Sequence, residues 1–179
     1  SPLIDKEGIM AALQRYETTL LDTYYRGIKA KLGLVEVNEK DNALAFDLLD
    51  ILMKNNMDYT RTFRALSHVN QEDTQCSLRD DCLDRTRFDD WFKRYTQRLA
   101  QEQTTNLQRQ QQMLATNPKY ILRNYLAQTA IEKAEKGDYK EIDTLLMLLQ
   151  TPYDEHQNHE KYADTPPDWG QHLEISCSS

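Results

Sequence analysis

The sequence has little of what a β-sheet or a membrane span requires. It contains three valines, five glycines and five prolines among 179 residues, against 23 leucines. Leucine favours helix, strands favour β-branched residues, and a many-stranded fold needs more turn residues than these. The longest run without a charged residue, 144–153, is far shorter than the ~20 residues that cross a bilayer. We therefore expect an all-α multi-helix bundle with no membrane partner.

An excess of positive charge is also absent. Lys and Arg number 22 against 29 Asp and Glu, a formal net charge of −7. A general nucleic-acid binder needs the opposite sign, because Lys and Arg release counterions from phosphates. The small basic group Lys93, Arg94 and Arg98 is not enough to predict such a site, so we expect no nucleic-acid partner.

Cysteine is scarce, with Cys76, Cys82 and Cys177 an odd and unevenly spaced set. This is not the framework of a disulfide-rich secreted protein. The first residues form no apolar run typical of a signal peptide, and the first methionine is Met10. We expect a cytoplasmic protein, and a piece of a longer one.

Apolar residues at three- and four-residue spacing predict a helical body over 1–152 and a polar, irregular tail over 153–179. The loop 70–87, with room for one helical turn, interrupts the body. The expected helices cover 5–31, 41–55, 58–68, 88–114, 117–137 and 138–150. The fourth includes the glutamine-rich stretch 97–114 and bends near 104–105.

Local signals refine these helices. Gly33 and Gly137 should each end a helix, and Gly27 indicates a kink or a close helix contact. The second helix is apolar over most of its circumference, which places it in the middle of the bundle. Asn117 followed by proline predicts a helix start, and Asp138 with Glu141 has the spacing of a capping box that opens the second arm of an αα-hairpin.

Motifs for catalysis are missing. The chain has no GxxxxGK[ST], GxGxxG, HExxH or CxxC. His156 and His159 lack a convincing third metal ligand, so we interpret them as surface residues. The acidic group of the loop lacks the alternation and central glycine of a calcium loop and is interpreted as solvated; it comprises Asp80, Asp81, Asp84, Asp89 and Asp90.

The tail contains two unusual residues for a terminus. Trp169 is large enough that we expect it to fix the tail to the helical body. Cys177, three residues from the end counting itself, should be an accessible thiol and hence open to redox chemistry. An incidental cysteine is the alternative.

Several segments resemble the selenoprotein O family. The densest are NPKYILRNYLAQTAIEKAEKGDYKEIDTLLMLLQTPYDE (Asn117–Glu155) and YADTPPDWGQHLEISCSS (Tyr162–Ser179), and KLGL (Lys31–Leu34) and DYTRTFRALS (Asp58–Ser67) precede them in the family's order. The resemblance implies the C-terminal helical part of a protein-kinase-like fold. It also implies a parent enzyme that transfers AMP from ATP to protein hydroxyls with magnesium or manganese.

The family's nucleotide- and metal-binding residues lie upstream of the matching region, so the resemblance assigns no catalytic, cofactor-binding or metal residue here. Its partners would be the upstream kinase-like domain of the same protein and the protein substrates. The SCSS ending resembles the family terminus that carries selenocysteine or cysteine, which implies a redox role for Cys177 with a cysteine of the activation segment. A stand-alone helical interaction module without activity is the alternative.

Overall fold

The computed structural model describes residues 6–36, 38–171 and 173. Over these residues the chain forms seven α-helices and no strand, which confirms the all-α prediction. The helices are α1 (Lys6–Lys31), α2 (Asp41–Lys54), α3 (Tyr59–Leu66), α4 (Arg85–Leu99), α5 (Asn106–Thr116), α6 (Asn124–Ala134) and α7 (Lys140–Gln150). Short 3-10 turns occur at Ser77–Asp81, Glu160–Tyr162 and Asp168–Gly170.

Gly33 ends α1, as predicted, and its lack of a side chain also allows α5 to approach closely. Its φ is +70°, in the left-handed region that favours glycine. A Cβ there would lie 2.6 Å from Sδ of Met113 and 2.7 Å from Cγ of Arg109, both on α5. At Gly27, by contrast, α1 continues unbroken and a Cβ would meet nothing within 4 Å among the described residues. The close helix contact expected at Gly27 is therefore wrong among the described residues, and the alternative of a kink stays a prediction.

The larger core lies between the end of α1 and helices α2–α5. The rings of α4 are fully buried in it, and Trp91 stacks on Tyr95 with centroids 5.0 Å apart. Their polar atoms are satisfied by backbone, because Trp91 donates to the Leu44 carbonyl and Tyr95 to the Leu32 carbonyl, each at 2.9 Å. Buried aromatic residues with paired polar atoms thus join α4 to α1 and α2.

Helix α2 is buried on one face only. Leu44 and Leu48 lie in the core, whereas Phe46 is 46% exposed and Met53 is 74% exposed. The prediction that α2 occupies the middle of the bundle is wrong for this second face, which the described residues leave uncovered.

The segment 70–116 contains the single helical turn predicted in the loop and one interruption of the following helix that was not predicted. A 3-10 turn occupies Ser77–Asp81, and α4 begins at Arg85 because the Asp84 carboxylate accepts from the Arg87 N–H at 3.0 Å. The expected long helix is not bent but broken after Leu99. Helix α5 starts afresh behind Thr105, whose capping box with Gln108 is complete.

Asn117 ends a helix instead of starting one. It is the C-terminal cap of α5 and is fully buried, and its side-chain amide donates to the Lys31 carbonyl at 2.9 Å and to Oγ of Ser67 at 3.2 Å. The prediction of a helix from Asn117 is wrong because these tertiary partners use the amide. Helix α6 begins only at Asn124.

Helices α6 and α7 form the expected αα-hairpin, with Gly137 at φ +83° in the turn. Asp138 accepts from the Lys140 N–H at 3.1 Å, but Glu141 does not complete a capping box, since its carboxylate binds Lys133 at 2.5 Å. That detail of the prediction is wrong. The hairpin encloses a second core, which consists of Tyr120, Tyr125, Leu126, Ala130, Leu145, Leu148 and Tyr162.

Arg98 is not part of a surface basic group. It is buried, and its Nε and Nη1 bind Oδ1 of Asp41 and Oε1 of Glu102, each at 2.7 Å. Glu102 in turn accepts from the backbone N–H groups of Val35 and Glu36. Burial of a charge requires such pairing, so this network fastens the α1–α2 connection to the end of α4. Arg94 is likewise paired, with Asp47 at 2.7 Å.

None of the helices in the described ranges is long and apolar enough to cross a membrane.

Candidate functional site

Cys177, the predicted redox residue, lies outside the described residues, so the structure tests neither its position nor its role. The structure does describe how the preceding tail is held. Three tail carboxylates, Glu155, Glu160 and Asp164, face three cations of the helical body, Arg61, Arg64 and Lys119. We call these six residues the tail latch.

Arg64 is the central cation of the tail latch. Its Nη2 binds Oε1 of Glu155 at 2.7 Å and the Tyr153 carbonyl at 3.0 Å. Its Nη1 donates to the carbonyls of Leu114 and Asn117 at 2.9 and 2.8 Å. The side chain is only 11% exposed. One guanidinium of α3 thus joins the end of α5 to the first residues of the tail, a use of the planar, multi-donor arginine group that lysine could not reproduce.

Lys119 adds a second cation on the same carboxylate. Its Nζ binds Glu155 and, at 2.8 Å, Glu160. Backbone bonds support this, because the N–H groups of Lys119 and Tyr120 both donate to the Pro152 carbonyl, at 2.8 and 3.1 Å. The third pair, Arg61 with Asp164 at 3.6 Å, is exposed on both sides and is the weakest.

The charges of the tail latch shift one another's pKa. Hydrogen bonds from Lys119, and then from Arg64, lower the pKa of Glu155 below its ordinary value. Burial alone would lower the pKa of Lys119, but its bonds to Glu155 and Glu160 outweigh burial and raise it. Both shifts favour the charged forms of Glu155 and Lys119, the forms that make these ion pairs.

Beside the latch, Asp58 connects α3 to Arg123, the residue before α6. Its carboxylate caps α3 by accepting from the Arg61 N–H at 2.8 Å and also binds Nη1 of Arg123 at 2.6 Å. Burial acts to raise the pKa of Asp58, but the bonds from Arg123 and the Arg61 backbone outweigh it, and the pKa is lowered. The two cores are therefore joined by charged groups.

Further along, the tail is seated on α6 by close packing. A Cβ on Gly170 would lie 2.6 Å from Cβ of Tyr125, so only glycine fits there. Trp169 packs edge-on against Tyr125, with centroids 6.0 Å apart, and the side-chain amide of Asn124 donates to the Leu173 carbonyl at 2.9 Å. The prediction that Trp169 contacts the helical body is confirmed, although the ring remains 59% exposed.

Tyr162 brings the middle of the tail into the second core. Its ring is buried, and its hydroxyl lies near the Glu141 carboxylate of α7. Burial, then this carboxylate, raises the pKa of Tyr162 to about 12. Burial would raise the pKa of Glu141, but Lys133 and Tyr162 outweigh it and lower it. The predicted boundary at 152 is untested as a domain limit, yet residues beyond it complete the core of the hairpin.

The remaining candidate residues form no catalytic arrangement. Cys76 and Cys82 are free thiols; burial raises the pKa of both, that of Cys82 to about 11. Nε2 of His156 lies 2.9 Å from Oγ1 of Thr151, and the His159 ring lies 6.4 Å from the His156 ring. In the acidic loop, Asp89 binds Arg79 at 2.8 Å and Asp84 caps α4.

Across the described ranges, no three His, Cys, Asp or Glu side chains are placed to hold a metal ion. The tail latch lies along an open cleft of about 560 Å³, and its ion pairs hold the tail against the helical body. The latch residues that line this cleft are already paired within the chain. The sequence analysis did not predict the tail latch, because Arg64 and Glu155 are 91 residues apart in the chain. The only indication in the sequence was that both charged residues lie within segments that resemble the family.

Comparisons with known proteins identify the class of protein. Relatives described as "Protein nucleotidyltransferase YdiU" include those of Yersinia pseudotuberculosis serotype O:1b (strain IP 31758), 49% identical, and Pectobacterium atrosepticum, 47% identical, both over 179 residues. That of Vibrio vulnificus (strain CMCP6) is 46% identical over 185 residues. Each match covers 100% of this chain, but 37% of the length of the first two relatives and 38% of the third.

The family model described as "Protein adenylyltransferase SelO" matches residues 1–150. The chain belongs to the SelO family. It spans little more than a third of the length of the bacterial relatives it matches.

Proposed function

We propose that this chain is the C-terminal helical region of a bacterial, cytoplasmic protein adenylyltransferase with a kinase-like fold. The whole protein would transfer AMP from ATP to Ser, Thr or Tyr hydroxyls of target proteins and release pyrophosphate. The observation that carries this is the match of residues 1–150 to the SelO family, together with relatives named as nucleotidyltransferases. ATP and magnesium or manganese would be held by the part of the protein outside these 179 residues.

In this proposal the chain contributes scaffold and tail. The resemblance implies that Cys177 forms a disulfide with a cysteine of the kinase-like domain: two thiols lose two protons and two electrons to an oxidant such as a small disulfide. The hydrogen bond from the Asn124 side-chain amide to the Leu173 carbonyl supports a tail that is held on α6 as far as Leu173. Leu173 precedes Cys177 by four residues, which span at most about 14 Å of extended backbone.

The transfer activity is tested on the full-length protein and on this chain separately. Each is incubated with ATP labelled at the α-phosphate, magnesium or manganese, and a mixture of proteins. We expect label on proteins only with the full-length protein. Absence of transfer by the full-length protein, or transfer by residues 1–179 alone, would contradict the proposal.

The redox role is tested separately on the full-length protein with oxidised glutathione. We expect an intramolecular disulfide that Cys177→Ser abolishes and Cys82→Ser leaves intact. A disulfide that survives Cys177→Ser would show that another cysteine carries it.

A stand-alone helical interaction module is the second candidate, favoured by the exposed apolar face of α1. The two candidates differ in the parent reading frame: several hundred further residues with a lysine–glutamate pair and metal-binding carboxylates favour the enzyme.

A further inference from the structure

The first two-thirds of α1 carry an apolar face that nothing in the described structure covers. Every residue from Lys6 to Tyr24 is exposed, and Ile28 is the only buried residue of the helix. Five large side chains on this stretch, which we call the α1 face, are between 45% and 66% exposed: Ile9, Leu13, Tyr16, Leu20 and Tyr24.

Their spacing makes these side chains one continuous surface. Steps of three and four residues place them along a single stripe of an α-helix. Single exposed apolar residues are ordinary, whereas a contiguous patch of this kind marks a contact site. Ala11 and Thr18 lie on the opposite side of α1, and neither of them is a large apolar residue.

An uncovered helix of this kind is not stable by itself. Helices in proteins gain most of their stability from packing an amphipathic face, and isolated segments are marginal in water. Helix α1 meets α2 and α5, but its buried contact begins only at Ile28 and continues with Leu32. The preceding turns therefore gain little stability from packing within the described structure, and a partner surface would supply it.

The α1 face also continues onto α2. The rings of Tyr24 and Tyr25 meet edge to face with centroids 5.9 Å apart, and Tyr25 meets Phe46 at 5.7 Å. Phe46 is itself 46% exposed. The patch thus spans two helices, and its aromatic end is anchored on the folded body.

We propose that the α1 face, extended by Phe46, is the surface on which the rest of the full-length protein docks. The occupant is the portion of the same polypeptide outside residues 1–179, and the inference rests on the proposed function. Two observations and one physical argument favour this occupant. About 63% of the relatives' length lies outside the matched region. The family match includes α1. Covalent linkage gives the missing portion an effective concentration in the millimolar range, which a separate partner must exceed.

The partner surface should be apolar. The five side chains of the α1 face carry no charge, and the charged residues Arg15 and Asp22 lie on the opposite side of the helix, with Ala11 and Thr18. A surface of one sign, such as an anionic membrane or a nucleic acid, would find no complementary charge on this face. A second copy of the chain would satisfy the apolar face and is the alternative that the experiment must separate.

The test is amide hydrogen exchange over residues 6–24 of the full-length protein. We expect exchange at least about tenfold slower than in an unprotected helix end, independent of protein concentration and at the mass of a monomer. Leu13→Glu with Leu20→Glu should abolish this protection, while the matched pair Ala11→Glu with Thr18→Glu, on the opposite side, should retain it. Unprotected exchange in the wild type, or protection that appears only with a dimer, overturns the proposal.

A second measurement does not depend on a charged variant remaining folded. A photo-crosslinking amino acid at Tyr16 should form an intramolecular link to residues outside 1–179, and the same group at Thr18 should not. Links between two copies, or an equal yield at both positions, would contradict the docking. Neither readout uses AMP transfer, so a failure of the enzymatic proposal and a failure of this one are distinguishable.

Discussion

Nη2 of Arg64 lies 2.7 Å from Oε1 of Glu155 and joins α3 to the tail across 91 residues of sequence. The two partners differ in exposure, at 11% for the Arg64 side chain and 61% for that of Glu155. Arg64 also donates hydrogen bonds to three backbone carbonyls. Its guanidinium is therefore part of the folded body, whereas the Glu155 carboxylate lies at the surface. The two ends of this ion pair should therefore respond differently to substitution.

We predict that Arg64→Met lowers the free energy of unfolding by about 2 kcal/mol or more, because it leaves the carbonyls of Leu114, Asn117 and Tyr153 without their donor. Glu155→Gln should lower it by less than about 1 kcal/mol, because the lost charge is solvent-screened. Urea unfolding of the two variants measures both values. Equal losses would show that the ion pair itself, and not the carbonyl contacts, provides the stability.

Acid should weaken the joint between the two cores. The pKa values of Asp58, Glu141 and Glu155 are lowered in the folded protein. A carboxylate with a lowered folded-state pKa stabilises the fold above its unfolded pKa, and the contribution is lost as the pH falls through the folded value. We expect the unfolding free energy to be flat above about pH 5 and to fall below about pH 4.

Urea unfolding across this pH range measures the effect, with Asp58→Asn as the control. The variant should be less stable at neutral pH and should lose less stability on acidification. An unfolding free energy that rises below about pH 4 would contradict this assignment of the carboxylates.

Gly33→Ala should destabilise the chain more than Gly137→Ala does. Both glycines have positive φ, +70° and +83°, so each alanine pays a backbone cost of about 1 kcal/mol. Only at Gly33 does the added Cβ also collide with Met113 and Arg109, which adds about 1–3 kcal/mol. Thermal and urea unfolding of the pair measure the difference, and equal losses would exclude the close approach of α5.

Gly170→Ala should loosen the tail without unfolding the body. The added Cβ would overlap Cβ of Tyr125, so residues 153–171 should exchange their amide hydrogens faster while α4 remains protected. Gly27→Ala is the matched control, since its Cβ meets nothing within 4 Å, and it should stabilise α1 by up to about 1 kcal/mol. Unchanged exchange in the tail of the Gly170 variant would mean that the tail is not seated on Tyr125.

Thiol modification should distinguish folded from unfolded chain at Cys82. Its raised pKa, about 11, keeps the thiol protonated near neutral pH, and the residue is buried. Alkylation near about pH 8 should spare Cys82 in the native protein and modify it in denaturant. Mass spectrometry of the digested protein reads this directly. Equal rates in both states would contradict the burial of Cys82.

The local pattern predicted much of the fold correctly. Helical spacing located α1, α2, α3 and the α6–α7 hairpin, and Gly33 and Gly137 marked two helix ends because a left-handed residue is a local requirement. Other local signals were misleading: Asn117 precedes a proline, yet its amide is used by Lys31 and Ser67. The family resemblance, confirmed by the match over 1–150, also came from sequence alone.

The sequence by itself thus determined the helical class, most helix positions and the family, since these depend on spacing along one segment. Only the tertiary structure decided which faces are covered, because an apolar stripe looks the same whether a partner lies on it, as at Leu48, or not, as at Leu13. The burial of Arg98 between Asp41 and Glu102, and the pairing of Arg64 with Glu155, are likewise visible only in the tertiary structure. Charge pairing depends on distance in space, and the local sequence around two residues that are far apart in the chain does not indicate that they are in contact.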